Sequence, residues 1–319
     1  LVVAFNSVLL EYATSGLPIT LYIFLSSTLL LTLYHLASWR KKWERSAPGR
    51  TPKLPRLQLC LAGLLTGALY LTDPIFAWLI PVVTVGTLSL VRADRLRAAA
   101  NLLMPMGLLV LPWMIRNGAL TGNPVFGLRG MEIWMQTTTY PGNLAYRVEP
   151  GGVVPSALLF QEVLRKLVVG FGTVLKTLPQ ITANWLLAFF LPCLLFRFSD
   201  SAATTIRNLV VVCFGALLVG TLLFGVEMPL FVSLIPTMLV FSVAFLMHLS
   251  RQAQVSRGGA VALTAAAAVC AVFPLAKDLT LDERVRALPE VASAKALARV
   301  AARDEVSVSD QPWIVAWHA

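Results

Sequence analysis

The stretch RLQLCLAGLLTGALYLTDPIFAWLIPVVTVGTLSLV, residues 56–91, decides the fold. Between Arg56 and Arg92 its one charged residue is Asp73, and Thr72-Asp73-Pro74 alone divides two apolar runs, 57–72 and 75–91. About 20 apolar residues match the hydrocarbon thickness of a bilayer, where a helix satisfies every backbone polar group within itself. These runs are slightly short, so the spacing predicts two helices in a tight hairpin whose turn barely leaves the membrane.

The same pattern recurs along the chain. Further spans are expected at 17–37, 98–114, 180–196, 208–225, 229–249 and 259–275, each bounded by charge or by Pro and Gly. The composition agrees: of 319 residues 57% are hydrophobic and 13% charged, about half the charge of a soluble globular protein. The reading is an all-α polytopic membrane protein of about eight transmembrane helices. Residues 1–275 make the transmembrane domain, and 276–319 begin a small C-terminal α/β domain. Helical Leu281–Ala302 opens that domain, and strand-like runs follow at Val306–Ser309 and Trp313–Trp317. With no initial Met and no charged segment ahead of the first apolar residues, the sequence reads as a fragment of a longer chain.

The net charge of +10 does not point to nucleic acid, because the basic residues form no continuous face. They mark orientation. One set of alternate connectors carries Arg40, Lys41, Lys42, Arg45, Arg50, Lys53 and Arg56, then Arg92, Arg95 and Arg97, then Arg197 and Arg207, then Arg251 and Arg257. The opposite short connectors carry Asp73 and Glu227 without Lys or Arg. The positive-inside rule makes the basic set cytoplasmic. Parity then puts residues 115–179 and the tail from Lys277 outside. Cys60, Cys193, Cys213 and Cys270 all fall in apolar runs without CxxC spacing, and His35, His248 and His318 are too dispersed for a metal site.

The outer segment is rich in turn formers up to Gly152, with Phe126, Trp134, Tyr140 and Tyr146 between them. From Ser156 to Leu178, Arg165, Lys166 and Lys176 alternate with Leu, Val and Phe, as in a helix lying in the membrane interface. Just before it stands Pro112-Trp113-Met114-Ile115-Arg116-Asn117, then Gly122-Asn123-Pro124. There Pro112 loosens the end of a span, Trp113 suits the headgroup layer, and Arg116 emerges where a lipid phosphate lies; an Arg can take a phosphate in bidentate fashion. An interfacial Trp and Arg that only anchor the helix would read the same way.

The PW-x-x-RN turn followed by Gly122-Asn123-Pro124 resembles the GT-C class of membrane glycosyltransferases, of the protein-mannosyltransferase and lipid A aminoarabinose transferase type. Gly63-Leu64-Leu65-Thr66-Gly67 through Leu71-Thr72-Asp73-Pro74 is similar to that family's G-x-x-x-G hairpin, with Asp73 where the family has Arg. Glu227-Met228-Pro229-Leu230 with Pro236, and Ser309-Asp310-Gln311-Pro312-Trp313, resemble its late helix and its C-terminal domain. The resemblance implies transfer of a sugar from a polyprenyl-phosphate donor to a lipid, glycan or protein acceptor at the extracytoplasmic face of a bacterial inner membrane, with a divalent cation as the candidate cofactor. It implies a carboxylate base, which the family carries in a loop expected upstream of Leu1. It also implies cations on the departing phosphate, for which Arg116, Arg129, Arg147 and Lys166 are candidates. Glu11, Glu132, Trp134, Tyr140 and Tyr146 are candidates for the cavity wall. For each, a solvated or packing role is the plain alternative. A transporter or lipid flippase, or a non-catalytic membrane assembly protein, shares the same composition.

Overall fold

The structure is a computed structural model describing residues 19–46, 54–91, 94–124, 133, 157–181, 185–224 and 228–254, with isolated positions at 256, 258, 259 and 262. All belong to one compact unit within residues 8–262. Among the described residues the regular structure is helical, and no strand occurs. The helices are α1 (Ile19–Ser46), α2 (Arg56–Thr72), a 3-10 segment (Pro74–Trp78), α3 (Leu79–Leu90), α4 (Arg95–Thr121), α5 (Ala157–Ile181), α6 (Trp185–Cys193), α7 (Ser201–Phe224), α8 (Met228–Val232) and α9 (Ile235–Gln252).

Three stretches are long and apolar enough to cross a membrane: Ile19–Arg40 of α1, Arg95–Leu120 of α4 and Ser201–Phe224 of α7. Arg56–Thr72 and Pro74–Leu90 are shorter apolar helical stretches, as their spacing predicts. The sequence span 180–196 corresponds to the end of α5 and all of α6, and the span 229–249 to α8 and α9 with a break at Ser233–Leu234. The span at 259–275, the domain boundary near 275 and the C-terminal strand-like runs lie outside the described residues.

The hairpin turns where expected, and its chemistry is local. Asp73 leaves the helix with extended backbone (φ −152°, ψ 125°), and its carboxylate accepts the Ile75 N–H at 2.9 Å. Pro74, which has no N–H to lose, opens the 3-10 segment. The turn is buried: Asp73, Ile75 and Phe76 are all sealed from solvent. Phe76 meets Tyr22 of α1 edge-on at 5.2 Å.

α2 packs chiefly against α4 and α1. Gly63 and Gly67, one turn apart, let the α4 backbone approach: a Cβ at Gly63 would stand 2.0 Å from the Leu102 carbonyl oxygen, and one at Gly67 3.3 Å from that of Met106. Small residues at four-residue spacing serve this packing where lipid supplies no hydrophobic drive between helices. α4 continues beyond Pro112, past the expected span end at 114, and stops at Gly122, whose left-handed backbone (φ 73°) closes the helix on the Gly118 carbonyl.

Lateral contacts fix which helix ends lie together. The Tyr34 hydroxyl donates to Asp200 (3.0 Å) and Arg40 Nη1 to the Ser89 carbonyl (3.4 Å) at one end. Tyr22 meets Phe76 and Tyr70 meets Trp113 at the other. The end of α1, the start of α2, the end of α3 and the starts of α4 and α7, with Arg40, Arg56, Arg95, Arg97 and Arg197, therefore lie at one end of the helix array. Arg207 departs from the connector reading. It lies inside α7, buried, and its guanidinium donates to the carbonyls of Cys193 and Phe196 and to Asn208 Oδ1 at 3.1 and 2.7 Å. It thus gives further hydrogen bonds to carbonyls at and just beyond the end of α6, where a cation complements the negative end of the helix dipole.

Candidate functional site

The candidate site is built from the end of α4. Trp113 does not stand free: its ring meets Tyr70 of α2 edge-on at 5.6 Å, joining the ends of the packed α2–α4 pair. Asn117 is buried on the inward side of the helix. Arg116, its neighbour, is exposed. Leu108, Leu111 and Ile115 are exposed too. At 3.6 residues per turn these three share an outer flank of α4, and Arg116 stands at its edge, one turn above Pro112. The exposed side of α4 thus carries a guanidinium one turn after Pro112 and one turn before the exposed Leu120, beside an inward face that carries a buried amide.

Lys166 occupies a different setting. It lies on α5 at 8% exposure, and its ammonium reaches two backbone carbonyls, Ile133 at 3.5 Å and Phe224 at 3.4 Å. Phe224 is the last residue of α7, so the ammonium meets the negative end of that helix. A buried ammonium is tolerated where its protons find acceptors, and these carbonyls supply two.

Arg116 and Lys166 are therefore held by separate supports, one on the α2–α4 pair and one on α5 against α7. Arg129, Arg147, Glu11, Glu132, Trp134, Tyr140 and Tyr146 lie outside the described residues. So does Glu227; α8 begins just after it, with Leu230, Phe231 and Val232 fully buried. Among the described residues no group of three His, Cys, Asp or Glu side chains could hold a metal ion.

Two buried polar features were not singled out from sequence. One is the Arg207 cluster. The other is the Ser26 hydroxyl, which donates to the Ser233 carbonyl at 2.7 Å and ties α1 to the break between α8 and α9. The signal for the first is a cation and an amide, Arg207-Asn208, at the start of a long apolar run; the second has no local signal. No family model matches the chain, and neither a curated protein nor a solved structure matches it.

Proposed function

We propose that the protein is an integral membrane glycosyltransferase that takes a sugar from a polyprenyl-phosphate donor and passes it to a lipid, glycan or protein acceptor on the extracytoplasmic side. In this reading the chain crosses the membrane about eight times, the basic connectors are cytoplasmic, and the α4–α5 connector lies outside. The observation that carries it is the position of Arg116: an exposed guanidinium at the edge of the apolar outer flank of α4. A phosphate whose tail runs in the hydrocarbon would reach that cation from the lipid side.

The chemistry asks for two acts. A carboxylate removes the acceptor hydroxyl proton as the new bond to the sugar's anomeric carbon forms, and the bond from that carbon to the phosphate oxygen breaks. The charge arriving on the departing lipid phosphate needs a fixed cation, and Arg116 is assigned that task. Arg129 and Arg147 remain candidates beside it. Within this sequence Glu132 and Glu149 are the candidates for the carboxylate.

The second reading is a transporter or flippase, favoured by the interrupted helix at Ser233–Leu234, since broken helices line many substrate paths. One assay separates the two. The full-length protein in sealed liposomes is given a polyprenyl-phosphate sugar; release of free polyprenyl phosphate in step with a glycosylated acceptor supports the enzyme. Movement of intact donor across the bilayer without bond cleavage supports the transporter.

A further inference from the structure

The helix α5 divides into three lengthwise sectors at 3.6 residues per turn. Val163, Lys166, Gly170 and Val174 are buried and form the docked sector, packed on α7 and α8. Phe160, Leu164, Val168, Phe171 and Leu175 form a second sector, apolar yet exposed; Val168 is 74% exposed. Arg165 and Lys176, exposed, lie on the third with Glu162, Thr173 and one exposed apolar residue, Val169. The Lys166 ammonium on the Phe224 and Ile133 carbonyls fixes the roll of the helix, so the apolar sector cannot turn inward to hide.

From this we propose that α5 lies in the plane of the membrane boundary and is a binding surface for anionic phospholipid: the Phe160–Leu175 stripe takes acyl chains, and Arg165 and Lys176 take headgroup phosphates. At 25 residues, about 37 Å, α5 is long enough to cross a bilayer, but Glu162, Arg165 and Lys166 fall within one and a half turns. Lys166 is docked on protein carbonyls, but a crossing helix would carry the neighbouring Glu162 and Arg165 into hydrocarbon, which is costly, whereas an in-plane helix keeps the third sector in the headgroup layer. The sign of the exposed pair Arg165 and Lys176 selects the lipid, because each cation near a negatively charged surface adds attraction. Lipid is therefore the occupant the charges fit.

The experiment places nitroxide labels singly at Glu162, Leu164, Val168, Thr173 and Leu175. It uses the full-length protein in nanodiscs, with Cys60, Cys193, Cys213 and Cys270 replaced and thermal stability checked. Relative access to oxygen and to a water-soluble nickel complex reports depth. In-plane seating predicts equal depths at Leu164 and Leu175, about 5–10 Å below the headgroups, with Glu162 and Thr173 shallower. A crossing helix would separate Leu164 from Leu175 by about 16 Å in depth, and that result overturns the proposal. Labels in water, or spin–spin broadening from a second copy at Val168, overturn it as well. In a second arm, spin-labelled phosphatidylglycerol should be enriched around the protein at least threefold over phosphatidylcholine, and the Arg165→Gln/Lys176→Gln variant should bring that ratio close to one. Equal enrichment in wild type and variant would remove the anionic-lipid assignment.

Discussion

The carbonyl oxygen of Leu102 lies where the first side-chain carbon of residue 63 would stand: a Cβ at Gly63 would be 2.0 Å from it. Backbone, unlike the end of a flexible side chain, does not move aside cheaply, so α2 and α4 touch there only because residue 63 has no side chain. Gly63→Ala should force the pair apart and lower stability by about 2 kcal/mol or more. Gly67→Ala should lose less, since its nearest neighbours at 3.3 Å include the movable side chains of Met106 and Leu109. Thermal unfolding in a mild detergent measures both, and equal losses would count against the seam as described.

The Tyr70–Trp113 contact ties together the end of that pair that carries the Asp73 turn. Trp113→Leu and Tyr70→Leu should each destabilise, and the double variant should lose less than their sum by about 0.5–1.5 kcal/mol, the range for an aromatic pair. A double-mutant cycle by unfolding reads this directly. Additive effects would return Trp113 to the role of a headgroup anchor.

Arg207 should matter for folding rather than for chemistry. Arg207→Met removes the donors to the Cys193 and Phe196 carbonyls and should lower stability by about 2–4 kcal/mol. Arg207→Lys should restore only part of it, because an ammonium lacks the fork that serves the carbonyls and Asn208 together. The melting temperatures of the two variants against wild type test the order.

These contacts show what a linear reading reaches. The helices α1 to α4 and α7 are legible because their apolar runs approach bilayer length and their ends carry charge, Pro or Gly. The hairpin at Asp73-Pro74 is legible because its signals are local. The break at Ser233–Leu234 is not: Pro229 and Pro236 flank it, yet the partner of the Ser233 carbonyl is Ser26, far back in the chain. Counting charges likewise assigns Arg207 to a connector, since a buried cation and a solvated one look the same until the Cys193 and Phe196 carbonyls are beside it. At the candidate site, the motif around Arg116 stands out in sequence, whereas the support of Trp113 by Tyr70 and the burial of Lys166 depend on which helices are neighbours.

Orientation is open to a direct check. Ser199→Cys lies at the end where Tyr34 meets Asp200, and Asn123→Cys follows the opposite end of α4. A membrane-impermeant thiol reagent added to intact cells should label Asn123→Cys and leave Ser199→Cys unlabelled, and in inverted vesicles the reverse should hold. Labelling of both from one side would contradict the alternation of spans.

Arg116 carries the proposed chemistry. Its side chain is exposed on the edge of α4, so Arg116→Ala should leave membrane insertion intact and change stability by no more than about 0.5 kcal/mol. The decisive measurement is sugar transfer from a polyprenyl-phosphate donor by the full-length protein in lipid. Arg116→Ala is predicted to lower kcat/KM by about 100-fold or more, the scale of losing one fixed charge-stabilising donor. Turnover within twofold of wild type would contradict the assignment of Arg116 to the lipid phosphate.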